Sequence, residues 1–256
     1  MNVCEFYEKL KELYPDSLKC DWDNDGLMSS PGGVREVSRV LVALDATEEA
    51  VNYAAENGFD TILVHHPLIF SPLRSVTPAG GAARKVIFSL MNDISVISLH
   101  TRLDAGEGGV NDCLAAALGL ENVEKFGTEE EGFIGRIGTI GDEMSIELFA
   151  EYVKEKLSSH AVMLSSTGYE TVRRVAVLGG GGKDFIAAAK DAGADVLVTG
   201  EAPYNDMLDG AEDGIPVIAA GHYNTEFPVT ARLAALAESI AGAECEIFPY
   251  TPVKII

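Results

Sequence analysis

Basic residues are scarce in this 256-residue chain. It holds 19 Lys and Arg against 40 Asp and Glu, a formal net charge of −21. Such a balance argues against a broad nucleic-acid or anionic-membrane surface. It leaves room for one small anionic ligand, because bound divalent cations invert the local field. Cysteine is also sparse. Cys4, Cys20, Cys113 and Cys245 are scattered, with no CxxC pair. They read as free thiols of a reducing, cytoplasmic compartment, not as a disulfide frame or a structural thiolate site. No apolar run approaches membrane-spanning length. The start, MNVCEFYEKLKELYPDSLKC, reads as an amphipathic helix with no signal-peptide core. There is a single tryptophan, and there are five histidines. Four of those five fall in three short segments, and that clustering carries the chemistry.

Apolar residues make up 47% of the chain, enough for a real core in one large domain or two small ones. From Val37 the pattern reads strand (VSRVLVALD), helix (ATEEAVNYAAENG) and strand (FDTILV). This is a βαβ unit, which favours a parallel sheet. VRRVAVLGGGGKDFIAAAKDAGADVLVTG, Val172 to Gly200, aligns with it without a gap, 135 positions later. Val40 meets Val175, Gly58 meets Gly193 and Asp60 meets Asp195. DISVISLH and GIPVIAAGH extend the likeness, and each precedes a helix-like run. The expectation is an α/β fold of two related halves with mostly parallel sheets. Residues 1–128 form the first half and 129–256 the second, divided in the acidic KFGTEEEGF stretch, whose Glu run reads as a solvated turn. FIGRIGTI reads as a strand, SIELFAEYVKEKL as a helix and CEIFPYTPVKII as a final strand.

The histidines follow predicted strands. ILVHHPLIF puts His65 and His66 at a strand end, before Pro67. ISLHTRLDAG holds His100 and Asp104, and IAAGHYNTEF holds His222 and Glu226. Each of the last two is an imidazole with a carboxylate four residues on, and the two pairs read as counterparts. They can share a helix face or lie in a loop; the AGEGG after Asp104 is not helical. In α/β sheets, ligands gather at the carboxyl ends of strands, so one site between the halves is expected. Imidazole and carboxylate without thiolate suit Zn, Fe, Mn, Co or Ni. The donors are too few for two closed sites, so carboxylates would bridge two cations and water would fill open positions.

Together CDWDNDGL, ILVHHPLIF, SLHTRLDAGEGGVND and AGHYNTE resemble the NIF-three family, dinuclear-metal proteins often called GTP cyclohydrolase I type 2 homologues. The resemblance runs from Trp22 to about Pro228. It implies that His65, His66, Asp104, His222 and Glu226 bind two divalent ions, with His100 in support. It also implies a homohexameric ring and a metal-dependent hydrolase of a nucleotide-like or small anionic substrate, with Glu226, Asp104 and His100 in the chemistry. The other reading is a ring that stores or senses metal or recruits a protein partner without catalysis. One departure stands out: family members carry a histidine after the aromatic of GEAPYNDM, where this chain has Asn205.

Several features read more plainly. GGGGKD, from Gly179 to Asp184, lacks phosphate-loop spacing and reads as a tight βα turn. The loop of Trp22, Asp23, Asn24 and Asp25 reads as a turn, placed near the site only by the resemblance. Asp45 fits either a helix cap or a support for a ligand. His160 reads as a surface or helix-end histidine.

Overall fold

In the computed structural model, residues 1–32, 35–128, 132–168 and 170–256 are described; the Glu run at 129–131, read as a solvated turn, lies outside them. From the amino terminus come α1 (Val3–Leu13), β1 (Gly26–Ser29), β2 (Arg39–Ala43), α2 (Glu48–Glu56), β3 (Thr61–Val64), α3 (Gly81–Met91) and β4 (Ser95–Ser98). Next are α4 (Thr101–Ala105), α5 (Val110–Ala117), β5 (Glu121–Thr128), β6 (Gly132–Ser145), α6 (Ile146–Lys156), β7 (Met163–Ser165) and β8 (Thr171–Gly181). The chain ends with α7 (Ile186–Asp191), β9 (Val196–Glu201), α8 (Tyr204–Glu212), β10 (Val217–Ala219), α9 (His222–Glu226), α10 (Val229–Ala241) and β11 (Glu244–Ile247).

Two compact units result. The first comprises Met1–Leu103 and Thr230–Pro252, the second Asp104–Val229 and Val253–Ile256. This division departs from a boundary at residue 128. That position falls between β5 and β6, which pair antiparallel in one sheet of the second unit. The carboxyl-terminal strand β11 meanwhile pairs parallel with β2 and so belongs to the first unit. Backbone pairing, not the order of the repeats, sets the boundary.

The first unit holds a five-stranded sheet in the order β1-β4-β3-β2-β11. Its β2–β3, β3–β4 and β2–β11 pairings are parallel, and β1 joins antiparallel at the edge. Leu41, Ala43, Ile62, Val64 and Val96 pack with Ala50, Val51 and Ala54 of α2 and Val86 of α3. The alternate residues Val40, Val42, Leu63 and Ile97 are fully buried as well. Burial on both sides explains why these strands read as continuous apolar runs and not as alternating ones. The Thr47 side chain caps α2 by accepting from the Ala50 amide at 3.1 Å. Pairing of the tail stops at Ile247, short of the strand read through CEIFPYTPVKII, where Pro249 and Pro252 lack a ladder donor.

The second unit holds a six-stranded mixed sheet in the order β5-β6-β8-β9-β10-β7. Here β8–β9 and β9–β10 are parallel. Val175 and Val177 face a core built with Leu114 of α5 and Phe149 of α6. Ala176 and Leu178 face another, with Ile186 of α7 and Met207 of α8. The period of two along β8 therefore divides its residues between two helical layers.

The repeat read at an offset of 135 is a repeat of backbone pairing. Val40 opposes Thr61 and Val175 opposes Val196; Ala43 opposes Val64 and Leu178 opposes Thr199. Gly58 and Gly193 both take positive φ, 72° and 77°, to end their helices. Asp60 Oδ2 accepts from the amides of Ser38 and Arg39, and Asp195 Oδ2 from those of Arg173 and Arg174.

Candidate metal centre

His65, His66 and His100 stand within two residues of a strand's carboxyl end and His222 three residues after one, while Asp104 and Glu226 lie further on, in the short helices that follow. In the first unit, β3 ends at Val64, so His65 and His66 are the next two residues. β4 ends at Ser98, and His100 precedes α4. His65 is fully buried, while His66 and His100 are partly exposed. One ring nitrogen from each of these three histidines lies within 4.8 Å of the other two. The ring centroids are 4.8 Å apart for His65–His66, 5.1 Å for His65–His100 and 5.6 Å for His66–His100.

What faces the Nδ1 atoms fixes which nitrogen each ring offers. His65 Nδ1 lies 2.9 Å from the Leu99 carbonyl oxygen. His66 Nδ1 lies 2.9 Å from Asp45 Oδ1, and His100 Nδ1 lies 2.8 Å from Asp23 Oδ1. A carbonyl or carboxylate oxygen only accepts, so each Nδ1 carries the proton and each Nε2 carries a lone pair in the neutral ring. This is the orientation that outer partners impose on metal-binding imidazoles.

Asp23 and Asp25 hold His100 from two sides. Besides the ring nitrogen, Asp23 accepts from the Thr101 amide at 3.1 Å and its hydroxyl at 2.6 Å. Asp25 accepts from the His100 amide at 3.0 Å and forms a two-point pair with the buried Arg102 guanidinium, 2.8 Å at each contact. Burial pushes the Asp23 carboxyl upward, yet the hydrogen bonds from His100 and Thr101 and the His100 charge outweigh it and hold the group at about 2.

In the second unit, β10 ends at Ala219 and α9 carries His222 and Glu226 on one helical face, 3.2 Å apart between Nε2 and Oε2. The open choice between helix and loop is settled as helix for this pair. His222 Nδ1 lies 3.1 Å from Glu201 Oε1. Two donors on one cation, with bonds of about 2.1 Å, sit about 3.0 Å apart at a right angle and about 3.4 Å apart at a tetrahedral angle. The His222–Glu226 separation falls in that interval. The tautomers in the first unit and the donor spacing in the second therefore fit divalent cations of the imidazole–carboxylate class.

The glycine run lies against this pair. A Cβ on Gly180 would lie 2.4 Å from Glu226 Oε1 and 3.2 Å from His222 Nε2, and Gly180 has φ of 67°. The amides of this stretch are engaged: Gly179 donates to Asn111 Oδ1 at 2.8 Å, Gly180 to Thr225 Oγ1 at 3.2 Å and Gly182 to the Glu201 carbonyl at 3.2 Å. Gly180 supplies clearance beside His222 and Glu226, and these three amides already have acceptors.

Asp104 lies in α4, half-buried, outside the histidine triad. Its carbonyl accepts from Asn111 Nδ2 at 3.3 Å. His100, expected only to support the ligands, is a full corner of that triad. The two imidazole–carboxylate pairs are not positional counterparts. Ile62 opposes Val96 and Leu197 opposes Val217, so His100 matches Gly221 and Thr101 matches His222. Each pair is set one residue out of step with the other. Sequence reasoning missed Glu201 and the tie from Asp23 to His100. Only the shared offset signalled Glu201, which occupies the place of His66 in the second repeat.

Comparison with known proteins decides the family. The family model Duf34/NIF3 (NGG1p interacting factor 3) matches residues 1–251. The chain belongs to the DUF34/NIF3 family. It is 33% identical over 238 residues to a Clostridium perfringens protein named GTP cyclohydrolase 1 type 2 homolog, covering 91% of this chain and 90% of that one. A Methanocaldococcus jannaschii protein of the same name is 30% identical over 231 residues, covering 88% and 90%. Among solved structures, a Bacillus cereus protein related to NIF3 superposes with a TM-score of 0.90 at 25% identity, covering 100% of this chain and 99% of that one. Reduced HcgD from Methanocaldococcus jannaschii gives 0.82 at 28%, covering 98% of each. The two α/β sheets thus carry the NIF3 fold, as the motifs implied. No helix among the described residues is long and apolar enough to cross a membrane.

Proposed function

We propose that this DUF34/NIF3 chain is a dinuclear-metal hydrolase of a nucleotide-like anion, with GTP as the first candidate. The observation that carries the reading is the shared oxygen acceptor at Nδ1 of four imidazoles. His65, His66, His100 and His222 each have Nδ1 beside an oxygen acceptor, the arrangement that orients metal-binding and catalytic imidazoles through Nε2. In this reading His65, His66, Asp104, His222 and Glu226 hold two divalent ions, drawn from Zn, Fe, Mn, Co or Ni. Such ions supply Lewis acidity and a water acidified to near neutral pH. Two such ions contribute +4 and the two ligand carboxylates −2, a local cationic site on an acidic chain that suits an anionic substrate.

The chain's own residues supply the rest. Asp23 keeps His100 oriented, so its Nε2 lone pair can take a proton from the attacking water and pass it to a leaving nitrogen. Asp45 and Glu201 fix the rings of His66 and His222. For the reaction in the relatives' name, the attacked carbon lies in the imidazole ring of the base and departs as formate. The resemblance adds a homohexameric assembly to the proposal, and the scattered cysteines add a cytoplasmic location.

Metal analysis of the purified protein, followed by a screen of GTP and phosphoesters, tests it. Glu226→Ala is expected to lose metal and turnover together. Full metal content in that variant overturns the ligand assignment. A metal-loaded native protein that turns over nothing in the screen favours the metal-storing or partner-recruiting ring instead.

A further inference from the structure

The only tryptophan of the chain is held out in solvent beside the histidine triad. Trp22 is 64% exposed and Phe70 is 57% exposed. Their ring centroids are 6.2 Å apart, tilted by 55°. Both rings stand nearly perpendicular to that of His100, Trp22 at 6.1 Å and 77° and Phe70 at 6.3 Å and 81°. Three rings thus border one another, and His100 also belongs to the donor triad.

The frame around the two exposed rings is rigid. Cys20 donates its amide to Thr101 Oγ1 at 3.0 Å, and the Asp23 amide donates to the Cys20 carbonyl at 3.0 Å. The Asp23 carboxylate is tied to His100 and Thr101 on the next side of Trp22. Asn24 Nδ2 donates to the Ile69 carbonyl at 2.5 Å, which joins the Trp22 loop directly to the residue before Phe70. Leu68 and Ile69 pack into the core below. Two large aromatic side chains therefore project into water from loop segments tied down on either side by polar contacts. Such preorganised aromatic surface binds at low entropic cost.

We propose that Trp22 and Phe70 form a stacking platform for the planar ring of a nucleobase, next to His100. The inference rests on the nucleotide-like ligand proposed above and specifies which part of it is recognised here. Every base offers a π face, and base–aromatic stacking is a general means of holding one. If the reacting carbon belongs to the base, the base must lie against the donors, and the surface adjoining His100 is aromatic. Two side chains also fall far short of the area of a stable protein interface, about 1,200–2,000 Å².

The single tryptophan is a built-in probe. Using metal-loaded, full-length protein, acrylamide quenching first tests whether Trp22 is accessible. Emission is then titrated with GTP, guanosine and inorganic triphosphate. Saturable quenching by GTP and guanosine but not by triphosphate is expected. Calorimetry should show guanosine binding weakened roughly tenfold in Trp22→Ala and Phe70→Ala, and largely restored in Trp22→Phe. A tryptophan that acrylamide cannot reach means the patch is covered by another copy of the chain and overturns the platform. So does equal quenching by triphosphate, or guanosine affinity unchanged in both alanine variants. GTP turnover with a KM unaltered in Trp22→Ala sinks the platform and leaves the hydrolase reading standing. Ring-specific quenching without turnover of any nucleotide does the reverse.

Discussion

Asp45 and Gly180 occupy equivalent places, 135 residues apart, and do opposite things for a ligand. Asp45 reaches its neighbour and orients the His66 ring. Gly180 withdraws, leaving space that the Glu226 carboxylate fills. Gly180→Ala would add a methyl group where 2.4 Å separates it from Glu226 Oε1, at a φ of 67° that L side chains rarely adopt. The expected outcome is metal binding weakened by about tenfold to a hundredfold with no ligand removed, the range seen when the supports of ligands are disturbed. Metal-competition titration checks it, and native-like affinity in the variant would mean that the glycine is only a turn. The candidate histidines were legible because histidine is rare in this chain and clustered at strand ends. Their supports were not. Asp23 lies 77 residues from His100, and an aspartate among 40 acidic residues carries no mark of its partner.

At the scale of elements, β2–α2–β3 and β8–α7–β9 are two copies of one pairing scheme, down to the aspartate before the second strand. Asp60 and Asp195 each accept from two backbone amides of the preceding strand's start. Asp60 also accepts from the Ser38 and Thr61 hydroxyls and is buried, whereas Asp195 is half-buried. Removing a carboxylate leaves strand amides without their acceptor, at about 1–3 kcal/mol per buried group. Asp60→Ala should therefore lower unfolding free energy more than Asp195→Ala, as read by urea denaturation. Equal losses would show that the extra hydroxyl contacts contribute little. The repeat was visible in the sequence because apolar period, Gly and Asp recur in ungapped register. The one-residue offset between the His100 and His222 pairs was not, since only strand register shows that Gly221 stands where His100 does.

Over the whole molecule, the chain leaves the first unit at Leu103, builds the second, and returns at Thr230 to add β11 beside β2. A division at residue 128 follows the order of the repeats, but chain order carries no information on which strand closes which sheet. The net charge of −21 acts at this scale too. Self-repulsion of a compact acidic chain weakens as salt screens it. Thermal unfolding of the metal-free protein should shift upward as sodium chloride rises from low to above physiological concentration. A midpoint that stays flat or falls would mean that paired charges dominate over the net excess.

The sequence by itself determined the α/β class, the duplicated βαβ unit and the histidine clusters at strand ends. Each of these is written in local period or in rare residue types at fixed spacing. Tertiary structure alone decided which nitrogen each imidazole offers, why the glycine run sits beside Glu226, and where the units divide. Those outcomes depend on acceptors, strand partners and steric clearances supplied by residues far away along the chain, and no local pattern records them.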